Sequence, residues 1–488
     1  MQGKKEYSEK LFLTFQLSQR VPENNFYRRL KNAIDLKFIK QETKQYYGTE
    51  GQHSIDPEVF FKLMLVGYLE NINSDRKIIE HASMRLDILF FIGYDIDEEL
   101  PWHSTLSRTR KLYGEEVFLS LFRKVLSMCI VKGMVSGKRQ AIDSAFVKAN
   151  ASMNSLVEKV VVSDTQDYLD QLTENDEEKP VISEKKKKGN SFYSPTDPDA
   201  RVSTKPGKPT QLNYSGQISV DTKNHVICGA MANFADKRDA QSLPAILATT
   251  IDNLKKHALT VVEVLADTNY SSGEALKALD FQRVEGYIPS FGPYKYQHEG
   301  FTYDVNNDSY ICSQGTQLTY RKTFFRADGT IKKEYRTSRS NCKGCPLMSA
   351  CLGKSHQKCI QHSIDKPYYD RMHERMQTPM GKRMKKIRQA TVEPVLGTLI
   401  NFLGMKRVNA RGINQANKHV LMAAIAYNLK KYMNYSRINR NSMIMAAEKT
   451  LKSQLCSMSY NLILTIHLLP GINKNNTYQI KTATVVLI

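Results

Sequence analysis

Apolar positions recur at helical spacing along residues 55–132. Asp56-Pro57 reads as an N-cap followed by a proline at the first helical position. Val59, Phe60, Leu63, Met64, Val66 and Gly67 follow it. Ser74 predicts the cap of a second helix, Asp75 to Met84, and Ser104 the cap of a third. Val117, Leu121, Val125 and Cys129 give a further apolar stripe. The period then changes. Gln140-Ala-Ile-Asp143 closes a short apolar stretch, and Leu212, Tyr214, Ile218 and Val220 alternate with small or polar residues as in a strand. His225–Ala232 reads as the hairpin partner of that strand. Leu243, Ile246, Leu247, Ile251 and Leu254 define a helix face, with Asp239 as its expected cap. Val261–Ala266 is a mostly apolar strand ending at Asp267, Ser271 and Glu274 form a capping-box pattern, and Tyr287–Pro289 suits a last strand. Strand, hairpin, helix, strand, helix, strand, later helix is an α/β order.

Other stretches lack such periodicity. Residues 153–210 contain a charge-rich run, TENDEEKPVISEKKKKGN, and a turn-rich one, SPTDPDARVSTKPGKP. They predict a linker or long arm in which Lys185 to Lys188 are solvated charges. The chain beyond about Ser436 carries no readable motif and is expected to be an accessory tail. Domains are therefore expected at 1–135 (helical), 136–290 (first part of the α/β core), 291–380 (cysteine-bearing insertion), 381–435 (second part of the core) and 436–488 (tail).

Charge narrows the partners. Lys and Arg number 70 against 49 Asp and Glu, a formal net charge of +21. Such a chain favours a polyanion. No run of 18 apolar residues exists to span a bilayer, and NLILTIHLLP is too short, so a membrane partner is not expected. The eight cysteines are too sparse for a disulfide scaffold. They imply a reducing compartment, the cytoplasm, where clustered cysteines hold metal.

Two constellations carry candidate chemistry. Asp143 and Asp267 each follow a strand, and Glu393 lies in the helical, basic stretch KRMKKIRQATVEPVLGTLINFLGMKR. Two carboxylates side by side in a sheet repel and raise each other's pKa unless a cation lies between them. Mg²⁺ or Mn²⁺ relieves that with oxygen ligands while leaving positions for phosphate and water, and two such ions can clamp both oxygens of a phosphodiester exchange. Pro394 lacks an amide proton, which predicts a kinked or restarted helix at Glu393. The second constellation is Cys312, Cys342, Cys345 and Cys351, which suit tetrahedral zinc, with His356, Cys359 and His362 as alternative ligands. Cys129, Cys228 and Cys456 read as buried apolar residues, and Trp102 as packing at a helix start. Arg108, Arg110 and Lys111 on the third helix, Lys148, and Arg388, Lys406, Arg407 and Arg411 around Glu393 are the expected phosphate contacts. No P-loop and no serine-nucleophile motif is present, so a nucleotide cofactor and a covalent intermediate are not expected.

From about Glu42 to Tyr432 the chain resembles DDE transposases of bacterial insertion sequences. The motifs that carry the resemblance occur in order: SIDPEVFFKLMLVGYLENINSDRKI, PWHSTLSRTR, AIDSAFVKANAS, SPTDPDAR, LNYSGQISVDTKNHVI, VLADTNYSSGE, NCKGCPLMSAC and VEPVLGTLINFLGMKRVNARG. The resemblance implies a ribonuclease H-like mixed sheet with catalytic helices, an N-terminal helical DNA-binding domain and a cysteine-bearing insertion. It implies Asp143, Asp267 and Glu393 as the catalytic triad, and double-stranded DNA, element ends and target, as the partner of a homodimer near the nucleoid. Related enzymes often carry a basic residue seven positions after the glutamate, but Ile400 stands there. The rivals are a DNA-binding protein that has lost catalysis, a nuclease that cuts without joining, and a zinc-bearing interaction protein.

Overall fold

A computed structural model describes residues 5, 15–48, 50, 54–158, 192–204, 209–292, 294–326, 329–353, 355 and 357–435. The expected arm is covered only at its ends, and Lys185 to Lys188, His356, Cys456 and the expected tail lie outside the described residues. Residues 1–428 form one compact unit and 429–488 another.

The N-terminal part of the first unit is helical. Helices α1 (Leu17–Arg20), α2 (Phe26–Ala33) and α3 (Phe38–Thr43) precede α4 (Pro57–Leu69). The Asp56 carboxylate accepts from the Glu58 amide, and Pro57 opens α4 as expected. Ser74 caps α5 (Asp75–Ser83). Then come α6 (Leu86–Ile92), α7 (His103–Leu112) and α8 (Glu115–Val131). Helix α7 starts earlier than predicted. Trp102 is its N-cap residue and Ser104 lies inside it. Trp102 is 75% exposed, so it marks the helix start without packing there. The core of this part is aromatic: Phe60, Phe61, Tyr113, Phe118 and Phe122 are all fully buried.

The mixed sheet begins at β1 (Arg139–Lys148). Short strands β2 (Val157–Glu158) and β3 (Phe192–Tyr193) pair with each other, away from it. The sheet continues with β4 (Arg201–Ser203), β5 (Gln211–Asp221), β6 (Ile227–Phe234), β7 (Glu263–Leu265) and β8 (Glu285–Tyr287). Across it the order is β6, β5, β1, β7, β8, with β4 also pairing with β5, at Gln211 to Asn213. The β6–β5–β1 pairs are antiparallel and the β1–β7–β8 pairs parallel. A hairpin meander joined to a parallel half is the ribonuclease H-like arrangement, and parallel strands need helical crossovers. Helices α9 (Asp239–Lys255) and α10 (Gly273–Phe281) supply them. The sequence pattern was offset at several joins. His225 is in the turn at φ 58, β6 runs on to Phe234, β8 begins at Glu285, and Ser272 rather than Ser271 caps α10.

A second antiparallel sheet follows, in the order β13, β12, β11, β10, β9. Its strands are β9 (Phe301–Asp304), β10 (Ser309–Cys312), β11 (Gln317–Phe325), β12 (Ile331–Ser338) and β13 (Gln357–Ser363). Tyr310, Leu318, Tyr335 and Ile360 form its small core, and short helix α11 (Met348–Leu352) sits between β12 and β13. The expected insertion runs to residue 380, but α12 (Lys366–Gln377) packs back on the first sheet. A Cβ on Gly286 would meet Met372 of α12 at 2.7 Å and Leu279 of α10 at 2.6 Å, so glycine sets how closely these helices approach β8. Helix α13 (Pro379–Phe402) is unbroken through Pro394. The predicted restart does not occur, although Ala390 loses its helical donor there.

Helix α14 opens at residue 413, and its stretch from 418 to 428 is buried throughout. Lys418 Nζ donates to the Arg110 and Tyr113 carbonyls at 3.0 and 2.5 Å. His419 Nδ1 meets the Tyr68 hydroxyl at 2.7 Å. Buried groups with fixed partners thus tie the N-terminal helices to α14. Burial, aided by the Arg110 charge, pushes His419 down to about 4. Its folded value lies below the unfolded one, so its contribution is complete above about pH 6.5 and is lost as pH falls toward 4. Each unit within that window costs up to about 1.4 kcal/mol. His419→Gln keeps an acceptor for Tyr68 but cannot titrate. Its melting temperature should fall less than that of wild type between neutral pH and about pH 4.5. Equal falls would show that His419 does not govern acid stability.

Candidate active site on the central strands

The register of the parallel pair sets the site. Ala141 of β1 pairs with Leu265 of β7, so Asp143 and Asp267, two residues on, come level at neighbouring strands. Asp267 then caps a short 3₁₀ turn, accepting from the Asn269 amide at 3.0 Å. Helix α13 packs against β1 and brings Glu393 over the same place.

Arg388 joins the three acids. Its guanidinium lies 2.5 Å from Asp143, 4.0 Å from Asp267 and 3.8 Å from Glu393. The arginine side chain is 11% exposed, Asp143 14% and Asp267 29%, whereas Glu393 stands at the rim with 59%. Arg388 Nε is buried with no hydrogen-bond partner among the described residues. Arg388 was expected to contact phosphate. The structure places it among the carboxylates instead.

Burial pushes the Asp143 carboxyl up to about 6. Asp267 and Asp239 raise it further, while Arg388 and the Ser144 amide oppose them. Asp239 is the acid that sequence reasoning misplaced. It is the first residue of α9, whose N-cap is Arg238. Its carboxylate accepts from Ser144 Oγ at 2.6 Å and Gln217 Nε2 at 3.1 Å. The buried Tyr270 hydroxyl donates to Gln217 Oε1 at 2.5 Å. This polar layer lies beneath Asp143 and fixes β1, β5 and the turn after β7 together. The sequence signal for it is the alternation of Ser215, Gln217 and Ser219 with the apolar positions of β5, and the structure buries all three.

Carboxylate oxygens are the donors a divalent ion needs, and Arg388 supplies positive charge among the three acids. Among the described residues, however, no three His, Cys, Asp or Glu side chains are grouped to hold a metal ion.

The other expected residues divide. Arg110 is buried and held by Asp75 through two contacts, 3.0 and 2.5 Å, so it is a structural ion pair rather than a phosphate contact. Arg108, Lys111 and Arg411 are exposed. Lys148 meets Arg407 in a strand bridge, and its amide donates to the Lys406 carbonyl at 3.0 Å. The fold therefore gathers Lys148, Lys406 and Arg407 from distant sequence, the last two exposed. Lys382, Lys386 and Gln389, all exposed, share the α13 face of Glu393 by spacing.

Burial pushes the Cys342 thiol up, and so do Cys312, Cys345 and Cys351, which lie near enough for their charges to act. Among the described residues, however, the four expected cysteines do not form a group that could hold a metal ion. Gly344 takes φ 82 in the turn that lets Cys345 donate its amide to the Cys342 carbonyl at 3.1 Å. The described alternative ligands, Cys359 and His362, have other partners. Cys359 is beside Glu334 and Arg336, and His362 is hydrogen-bonded to Tyr310 and Tyr335. Cys129 and Cys228 are fully buried as expected.

Residues 15–112 match the family model of a transposase domain of otherwise undefined function, DUF772, and residues 311–433 match that of a transposase DDE domain. The second match contains Glu393 and the four cysteines, while Asp143 and Asp267 lie between the two. No curated protein matches the chain. Among solved structures the chain is similar to piggyBac transposase in a synaptic complex with hairpin DNA, at 11% identity over 83% of this chain and 76% of that one, TM-score 0.30. It is also similar to Mos1 transposase in a paired-end complex with the left transposon end, at 11% identity over 51% of this chain and 64% of that one, TM-score 0.16. Both family models that match this chain are transposase domains, and they flank the stretch that carries Asp143 and Asp267.

Proposed function

We propose that the protein binds the terminal inverted repeats of its own insertion sequence, cuts DNA at the element ends and joins the freed 3′ hydroxyl to target DNA. The single observation that carries the catalytic reading is the convergence of Asp143, Asp267 and Glu393 on one cation, Arg388. Asp143 and Asp267 would hold one Mg²⁺ or Mn²⁺ and Glu393 would help hold a second, supplying the charge that stabilises the attacking and leaving oxygens. The chain's own residues do the rest. The Asp239–Ser144–Gln217–Tyr270 layer keeps β1 rigid under the reacting phosphate. Lys382 and Lys386 lead along α13 toward Glu393 and suit the DNA backbone, as Lys148, Lys406, Arg407 and Arg411 do beyond β1. Arg108 and Lys111 on α7 remain candidates for end recognition within residues 1–135. We further infer a homodimer on DNA, acting in the bacterial cytoplasm at the nucleoid. No helix among the described residues is long and apolar enough to cross a membrane.

Purified protein with Mg²⁺ and labelled element ends should give both nicked and joined products. Nicks without joining would identify a nuclease, and specific binding without nicks a protein that has lost catalysis.

The cysteine spacing in the sequence supports a structural zinc held by Cys312, Cys342, Cys345 and Cys351. Freshly purified protein should contain one equivalent of zinc, and Cys342→Ser should release it and make the second sheet protease-sensitive. Structural zinc contributes on the order of 10 kcal/mol in small domains, so the effect should be large. Elemental analysis that finds no metal in the wild type would sink the assignment.

A further inference from the structure

A cleft of about 980 Å³ opens between the first sheet and the insertion sheet, beginning beside the turn after Asp267. Asn269 and Ser271 form its inner end, and the Ser271 hydroxyl is buried there with no hydrogen-bond partner among the described residues. Exposed cations line it from three separate segments: Lys237 and Arg238 before α9, Lys295 after β8, and Arg326 at the end of β11. The acids of the cleft are already engaged. Asp236 lies 3.5 Å from Arg201, and Asp239 accepts from Ser144 and Gln217. The remaining charge is therefore positive. Phe291 presents a ring that is 54% exposed, and Tyr369, stacked on Tyr294 at 5.2 Å, lines the same wall.

Exposed cations beside an open aromatic ring are the chemistry of an unpaired polynucleotide strand, whose phosphates meet the charges and whose bases stack on the ring. The size agrees. The cleft matches the larger small-molecule pockets, which leaves room for a few nucleotides of one strand and none for a duplex. A duplex also hides its base faces from Phe291.

We propose that this cleft binds a short single-stranded DNA segment next to the carboxylate site. The assignment deepens the DNA-processing reading and rests on it for the identity of the polymer. Anisotropy of a short labelled oligothymidylate and of a duplex of equal length tests it on the full chain. Phe291→Ala should weaken single-strand binding about tenfold, the loss of one base–aromatic stack, and leave duplex affinity within about twofold of wild type. Lys295→Gln should lower the salt slope of single-strand binding by about 0.7, the value for one phosphate contact. Phe291 is exposed, so an unchanged melting temperature is expected. Unaltered single-strand binding in both variants, or equal weakening on single strand and duplex, overturns the cleft. The catalytic reading is scored separately by wild-type cleavage of duplex ends. Cleavage with Phe291-independent strand binding rejects the cleft alone. Phe291-dependent strand binding without cleavage rejects the catalytic reading alone.

Discussion

Asp143→Asn, Asp267→Asn and Glu393→Gln should each abolish DNA cleavage while binding of element ends persists. An amide keeps the volume and the hydrogen-bonding ability of the acid but removes the charge that holds a divalent ion. Stabilisation of a developing oxyanion by fixed charge is commonly the largest catalytic contribution, and loss of one such group costs about 10²–10³ in rate. Loss of an ion from a two-ion site should reach or exceed that. The three variants should differ in stability. Asp143 is buried against Arg388 and should be the most sensitive, whereas Glu393 stands exposed at the rim and should fold as wild type does. The measurement is single-turnover cleavage with Mg²⁺, beside binding isotherms at fixed salt. A variant that cleaves within a few-fold of wild type removes that residue from the set of ion ligands.

Arg388→Gln should show the second large effect, first on the fold without added metal. The wild-type guanidinium balances Asp143 at 2.5 Å, with Asp267 and Glu393 within 4.0 Å. Its removal leaves the largely buried Asp143 beside the partly exposed Asp267 with no cation. Removing one partner of a buried ion pair costs about 3–5 kcal/mol. The variant should therefore melt well below wild type in chelator, and Mg²⁺ should restore more of its stability than it adds to wild type. Thermal melts of both proteins with and without Mg²⁺ decide the matter. Equal melting temperatures in chelator would show that Arg388 does not stabilise the empty site.

The candidate site was legible one residue at a time. Asp143 and Asp267 each close an apolar stretch, and strands deliver carboxylates to a common edge when they are parallel neighbours. Glu393 was legible from the resemblance and from its helical, basic surroundings. The roles around them were not. Arg388 and Arg110 looked like other arginines in basic stretches. Burial against Asp143 and Asp75 separates them from Lys382, Lys386, Arg108 and Lys111, and burial is settled by partners far away in the chain. Asp239 read as a helix cap because a cap and a buried acceptor use the same residue type at the same place. Ser144 and Gln217, which make it an acceptor, come from two other strands.

Local chemistry determined the elements. The Asp56-Pro57 start of α4, the Ser74 cap of α5, the apolar stripe of α8, the alternation in β5 and the apolar approach to Asp267 are short-range signals. Backbone donors and apolar side chains within a few residues satisfy them wherever the segment lies. Errors arose at the joins, at Ser104, His225 and Ser271, where neighbouring segments choose between equivalent caps and turns. Tertiary structure alone decided the level register of Asp143 and Asp267, the Arg388 bridge to Glu393, the gathering of Lys148 with Lys406 and Arg407, and the cleft beside Phe291. Each joins side chains from segments far apart in the sequence, and such contacts form only when the sheet order and the packing of α13 fix which segments become neighbours.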